Sequence, residues 1–332
     1  MALRVGINGF GRIGRLVVRV AMKRRAPIQF VAVNDLTDVR TMAHLLRYDS
    51  VHRTWPEAGP PIDGYLQAGG AKIRFLSEKE PAKLPWKDLG ADVVVECTGR
   101  FTDRASGAQH LDAGARAVLI SAPAKNADLT FVMGVNDHLF DKAKHKVVSI
   151  GSCTTNCLAP VAKVLNDTFG IDHGLMTTIH AYTNDQNVLD YPHKDLRRAR
   201  AAAVNMIPTT TGAAKAIGLV LPELQGKLDG LSVRVPVMSG SLVDLVVRVN
   251  KPTEAAEVNE AMRQAAAGPL RGVLEYCEDP IVSSDVIGNP ASSVFDALST
   301  TVMNRQLVKV LAWYDNEWGF TERMVDALLK MA

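Results

Sequence analysis

Apolar residues follow two rhythms along the first half of the chain. Leu3–Asn8 is a short, mostly apolar run that reads as a strand, and behind it Ile13, Leu16, Val17, Val20 and Ala21 recur at helical spacing. Ile28 to Val33 returns to strand character and ends at Asn34-Asp35. Strand-like runs recur at Val93–Val95, Ala117–Ile120 and Val147–Ile150, closing in Cys97-Thr98-Gly99, Ser121-Ala122-Pro123 and Gly151-Ser152. Helical stretches separate several of these runs, so the pattern predicts an α/β fold with a doubly wound parallel sheet.

The junction between the first strand and helix carries Gly9-Phe10-Gly11-Arg12-Ile13-Gly14. Here Gly9 permits a tight turn, Gly11 lets backbone approach a pyrophosphate, and Gly14 allows close helix–strand packing. A helix starting near Arg12 would aim its free N–H groups and positive dipole end at phosphates. Asp35 lies 21 residues after Gly14, where an acid meets adenosine ribose hydroxyls and repels a 2′-phosphate. The reading is a dinucleotide site that prefers NAD. Ligands of such sheets bind at the carboxyl ends of strands, which makes Thr98 and Ser121 candidate cofactor neighbours, although simple strand-end caps account for them equally well.

Composition narrows the class. The chain has 332 residues, more than one hydrophobic core usually serves, so two domains are expected. Apolar residues at 47% and charged residues at 22% describe an ordinary globular protein. A formal charge of +3 does not call for a polyanion, so nucleic acid is not required as a partner. The densest basic run, Arg197-Arg198-Ala199-Arg200, reads as a solvated or internally ion-paired segment. No stretch approaches the roughly twenty apolar residues of a membrane helix. The four cysteines, Cys97, Cys153, Cys157 and Cys277, form no CxxC pair and no zinc-type spacing with histidine. No metal is expected, and a cytoplasmic enzyme with reduced thiols fits best.

One of those cysteines stands out by position. After the strand ending near Ile150 comes Ser152-Cys153-Thr154-Thr155-Asn156-Cys157, with Leu158, Val161, Ala162 and Leu165 continuing at helical spacing. Ser152 is a good N-cap, so Cys153 falls in the first helical turn, where the dipole lowers a thiol pKa. Cys157, four residues on, reads as an inert buried thiol. Leu175 to Ile179 alternates loosely and ends at His180, a histidine that can pair with a thiolate and exchange protons with a substrate oxygen. Spacing alone leaves open whether His180 meets Cys153.

The segments Ser152–Cys157 and His180-Ala181-Tyr182-Thr183-Asn184-Asp185-Gln186 resemble the two signature segments of glyceraldehyde-3-phosphate dehydrogenases. The resemblance extends over nearly the whole chain, through Asn8–Arg15, His193–Arg198, Pro208–Lys215, Arg234-Val235-Pro236 and Trp313–Glu317. It implies a Rossmann domain over 1–151, joined by a C-terminal helix over 317–332. A catalytic α+β domain with a mostly antiparallel sheet is implied over 152–316, its longer strands near Leu231–Val237 and Leu242–Val249. It further implies a homotetramer, with 181–205 as a long interface loop. Cys153 would be the nucleophile and His180 its base. Thr183, Arg198 and Arg234 would hold the substrate phosphate, or lie between the two anion sites, and Ser152, Thr154, Thr211 and Gly212 the attacking inorganic phosphate. Arg12, Ile13, Asp35, Lys79, Ser121 and Asn316 would contact NAD, and Pro192 matches NAD-preferring members. The substrate implied is glyceraldehyde 3-phosphate; an erythrose-4-phosphate dehydrogenase shares the scaffold and chemistry. Tyr191, Phe320 and Gly151 depart from the family's common residues and bear on cofactor affinity rather than reaction type.

Overall fold

The computed structural model describes residues 2–332 and divides into two compact units. The first takes the chain up to Phe131, then Leu139–Gly151 and Thr321–Ala332; the second takes Val132–His138 and Ser152–Phe320.

A nine-stranded sheet forms the first unit. Its parallel centre runs Ile28–Asn34, Leu3–Asn8, Val93–Glu96, Ala117–Ile120, Val147–Ser149. Val93–Glu96 is buried at every position, which is why it reads as a continuous apolar run rather than an alternation: a parallel strand is covered on both faces. An antiparallel meander, Ala58–Ile62, Tyr65–Ala68 and Ala71–Leu76, extends one edge and joins the parallel set through Ile28–Asn34. Leu3–Asn8 has the next strand in sequence on one side and Val93–Glu96 on the other, so the strand order reverses there and a crevice opens at its carboxyl end. The closing helical segment is held to the first helix, Arg12–Lys23, by Arg24, whose guanidinium pairs with Glu322 at 3.0 Å and Asp326 at 2.7 Å.

The second unit is a seven-stranded sheet in the order Ile207–Thr210, Leu228–Val235, Ile171–Ala181, Ser241–Val249, Leu307–Tyr314, Ser293–Met303, Leu274–Cys277. Two of its neighbouring pairs are parallel and the rest antiparallel. Buried and half-exposed positions alternate along Ser241–Val249, so one face carries the core. Helices Cys153–Phe169, Ala213–Val220 and Ala255–Ala267 contribute Leu158, Val161, Leu165, Ile217, Val258 and Met262 to the cluster that holds Val243, Leu245 and Val310. Elsewhere on the sheet Leu175 and Leu231 remain 67% and 44% exposed.

Candidate active site

In the first unit a cavity of about 330 Å³ opens at the carboxyl ends of the central strands. Gly9, Gly11, Asp35, Lys79 and Thr98 line it, together with Asn8, Asn34 and Glu78, which the sequence did not single out. Gly9 has φ +90° and an added Cβ there would lie 2.6 Å from the Thr98 nitrogen. A Cβ at Gly14 would overlap the Gly9 carbonyl oxygen, so the helix can lie this close to the turn only with glycine at that position. At Gly11 an added Cβ would meet nothing, leaving a bare backbone edge on the cavity for a phosphate to approach. Asp35 Oδ2 accepts the Phe10 N–H at 2.8 Å and Oδ1 accepts that of Thr37 at 3.0 Å, which leaves lone pairs on both oxygens for ribose hydroxyls. These donors and acceptors fit a dinucleotide. Arg12, Ile13 and Ser121 are not among the lining residues: the Arg12 guanidinium is paired with Asp49 at 3.2 Å, and Ser121 hydrogen-bonds the Cys97 thiol. Asn316 lies in the second unit, where its amide oxygen accepts from Ser241 at 2.8 Å.

A buried polar chain runs beneath this cavity. Asn34 clamps the Glu78 backbone through both N–H and C=O and donates to Asn8 Oδ1 at 2.8 Å; Asn8 donates to Glu96 Oε2 at 2.6 Å. Glu96 also accepts from the Thr98 N–H at 2.7 Å, from the Thr98 hydroxyl, and from His110 at 3.1 Å. The only sequence signal for this set is a polar residue closing each of three apolar strands.

In the second unit, Ser152 caps the helix Cys153–Phe169, its Oγ accepting the Thr155 N–H at 3.0 Å. Cys153 stands half-buried in the first turn, and its Sγ lies 3.4 Å from His180 Nε2. The adjacent parallel strands pair His180 with Arg234 in register, which brings the guanidinium beside the imidazole. His180 Nδ1 lies 2.7 Å from the Ala181 carbonyl oxygen and 2.9 Å from Arg234 Nη1. Arg234 Nη1 can give its two protons to Ala181 O and Thr183 Oγ1, both at 3.1 Å. All partners are then satisfied if Nδ1 carries the imidazole proton and donates to Ala181, leaving the Nε2 lone pair facing the thiol. Below the pair, the Tyr314 hydroxyl bridges Thr154 at 2.8 Å and Thr178 at 2.9 Å, and its ring meets His180 edge-on. Neither spacing nor composition assigns Tyr314 or Thr178 a role.

The electrostatics correct one expectation. Helix-terminal N–H groups and the Arg234 charge do pull the Cys153 pKa down, yet burial outweighs them and the thiol sits above its ordinary value. Burial first, then the Arg234 charge, lowers His180 to about 4. At neutral pH the pair is therefore an uncharged thiol facing an uncharged base, a proton transfer away from reactivity. Cys157 is fully buried and pushed up to about 12.

Around this pair, Thr183 and Arg198 meet through Asp185, and Arg198 is further held by Thr209 and Thr210. Thr211 Oγ1 accepts the Ala213 N–H at 3.1 Å at the start of the helix Ala213–Val220, and an added Cβ at Gly212 would meet nothing. The basic run is internally paired, Arg200 with Asp190 at 2.9 Å and Arg198 with Asp185 at 2.6 Å. Among the described residues no group of side chains could hold a metal ion, and no helix is long and apolar enough to cross a membrane.

The family model for the glyceraldehyde 3-phosphate dehydrogenase NAD binding domain matches residues 3–104, and that for the C-terminal domain matches 152–316. The chain belongs to the glyceraldehyde-3-phosphate dehydrogenase family. Relatives of that name are similar over nearly their whole length. Glyceraldehyde-3-phosphate dehydrogenase 1 of Bacillus subtilis is 58% identical over 327 residues, 98% of this chain and 97% of its own. Glyceraldehyde-3-phosphate dehydrogenase 1 of Streptomyces avermitilis is 57% identical over 99% of this chain and 98% of its own. The enzyme of Geobacillus stearothermophilus is 57% identical over 98% and 97% respectively. Within this dehydrogenase family, the chain's glycine at 151 has a local reason: its φ is +69°, a left-handed conformation in which alanine would be strained. Phe320 is buried and Tyr191 is 70% exposed.

Proposed function

We propose that the chain catalyses the NAD-dependent oxidation and phosphorylation of D-glyceraldehyde 3-phosphate to 1,3-bisphosphoglycerate. The observation that carries this reading is the 3.4 Å pairing of Cys153 Sγ with a His180 Nε2 whose opposite nitrogen is tied to a carbonyl. His180 takes the thiol proton as Sγ adds to the aldehyde carbon. The resulting alkoxide is received by the Cys153 backbone N–H and by His180, which returns the proton to give a thiohemiacetal. Bound NAD supplies the hydride acceptor. As the carbon is oxidised, His180 removes the hydroxyl proton and the acyl group remains on sulfur as a thioester. Inorganic phosphate, held by Ser152, Thr154, Thr211 and Gly212, attacks that acyl carbon; the C–S bond breaks and the sulfur leaves as thiolate.

In this reading Arg234, Thr183 and Arg198 bind the substrate phosphate or lie between the two anion sites. Gly9, Gly11, Arg12, Ile13, Gly14, Asp35, Lys79, Thr98, Ser121 and Asn316 serve NAD. The domains are an NAD-binding domain over 1–151 with the helix over 317–332, and a catalytic domain over 152–316. A cytoplasmic homotetramer is the proposed form. In support of assembly, Val188, Leu189 and Leu196 of the 181–205 loop are 82%, 75% and 82% exposed, an apolar surface that a partner subunit would cover.

The test follows reduced NAD by absorbance while the protein oxidises glyceraldehyde 3-phosphate, with and without inorganic phosphate, for wild type and Cys153→Ser. Phosphate-dependent NADH formation, abolished in the variant, is expected. Phosphate-independent turnover would remove the anion-site assignments, and turnover of erythrose 4-phosphate alone would change the substrate while leaving the chemistry.

A further inference from the structure

Two of the donors assigned above to phosphate already hold an anion. The Thr183 hydroxyl donates to Asp185 Oδ1, and Arg198 Nη1 donates to Oδ2 at 2.6 Å. A carboxylate bridging a hydroxyl and a guanidinium presents the same two acceptor oxygens that a phosphate group would.

The contact is not needed to position Arg198. Its Nε donates to Thr209 Oγ1 at 2.9 Å, its Nη2 to the Thr210 carbonyl at 3.3 Å, and its backbone N–H to Asp195. Asp195 Oδ2 lies a further 3.6 Å from Nε, so the guanidinium keeps one carboxylate neighbour without Asp185. Asp185 is the looser partner: its side chain is 39% exposed against 19% for Arg198, so the acid can turn to water while the guanidinium stays. Arg234 differs from Arg198. Its contacts are the neutral groups His180, Ala181 O and Thr183 Oγ1, its Nε is buried without a partner, and among the described residues no carboxylate lies within ion-pair distance.

We propose that Asp185 is a tethered anion that stands in for phosphate on Thr183 and Arg198 and must leave before a phosphate group binds there. It thereby weakens the affinity of the site for phosphate and eases departure of a phosphorylated product. This inference rests on the phosphate assignment of Thr183 and Arg198. It differs in sign from a purely structural role: an acid that merely orients Arg198 would strengthen phosphate binding.

Asp185→Asn removes the charge and keeps the size. The expected result is a fall of about two- to fivefold in KM for inorganic phosphate or for glyceraldehyde 3-phosphate, the size suited to losing partly exposed charged contacts. KM should change by more than kcat. Inorganic phosphate alone should also protect Cys153 from iodoacetamide at correspondingly lower concentration. Asp185→Ser, which removes the carboxylate altogether, should move the constants in the same direction, and the constant that falls identifies which phosphate Asp185 replaces. Unchanged or raised values of both constants in the two variants overturn the proposal. Arg198→Met run in parallel separates the two levels. If it raises neither constant, the phosphate assignment itself fails; if it raises one while Asp185→Asn does not lower it, the assignment stands and the role of Asp185 falls.

Discussion

Replacing Glu96 by glutamine changes one atom, yet the surrounding hydrogen bonds cannot adjust to it. Their direction is fixed from three sides. The Glu78 N–H donates to Asn34 Oδ1, so Asn34 Nδ2 faces Asn8 Oδ1, and Asn8 Nδ2 must therefore point at Glu96. Trp86 Nε1 can only donate, so His110 Nδ1 accepts it at 3.0 Å and the His110 proton sits on Nε2, aimed at Glu96. The third side is the Thr98 backbone N–H. In Glu96→Gln one of the two oxygens becomes an NH₂ group facing donors. Flipping Asn8 and Asn34 to receive it would turn Asn34 Nδ2 onto the Glu78 N–H and break that clamp. One buried donor is left unpaired in any arrangement, costing about 1–3 kcal/mol. Loss of the charge from the remaining bonds adds about 1 kcal/mol. The expected destabilisation is on the order of 3 kcal/mol, concentrated where Thr98 and Glu78 line the cofactor cavity. Urea unfolding gives the total. Because the chain forms two units, native-state amide exchange at Thr98 isolates the first, and its protection should fall about a hundredfold. A variant within about 0.5 kcal/mol of wild type, with Thr98 protection intact, would refute the assigned directions.

Two further outcomes follow from the Cys153–His180 pair. With His180 near 4 when folded and 6.5 as its ordinary value, both states are neutral above pH 6.5, and below it the unfolded chain takes the proton first. Stability should decline between pH 6.5 and about 4 by at most about 3 kcal/mol, and His180→Asn should remove that component of the acid slope in unfolding midpoints. Removing the nearby charge with Arg234→Leu should raise the Cys153 pKa and slow its alkylation by neutral iodoacetamide at pH 7 several-fold, and an unchanged rate would sink the electrostatic account. Cys157, fully buried and pushed up to about 12, should stay unlabelled in the native protein.

Much of this architecture is local in origin and was legible in the chain. Apolar runs separated by helical stripes specify a parallel sheet because a strand buried on both faces needs no alternation, as in Val93–Glu96. Glycines at 9 and 14 declare a turn and a close helix approach that other residues could not make, and Ser152 announces the helix that carries Cys153. These signals depend on backbone conformation and on residues within a few positions of each other, so one dimension suffices to read them.

Contacts between distant segments were implied by the family resemblance but were not legible in spacing or periodicity. The meeting of Cys153 with His180, 27 residues on, depends on how the helix packs on the sheet, and that of His180 with Arg234, 54 residues on, depends on strand register. Register is set by the whole sheet and its core rather than by either residue. The sign of the Cys153 shift was likewise a tertiary outcome: its helical position argues for a lower pKa, but the desolvation that prevails comes from packing by other segments. Asp185, Glu96 and Tyr314 belong to the same class. Each is an unremarkable polar residue in sequence and becomes informative only when the fold supplies its partners, because a hydrogen bond is a property of two groups and the chain alone specifies one.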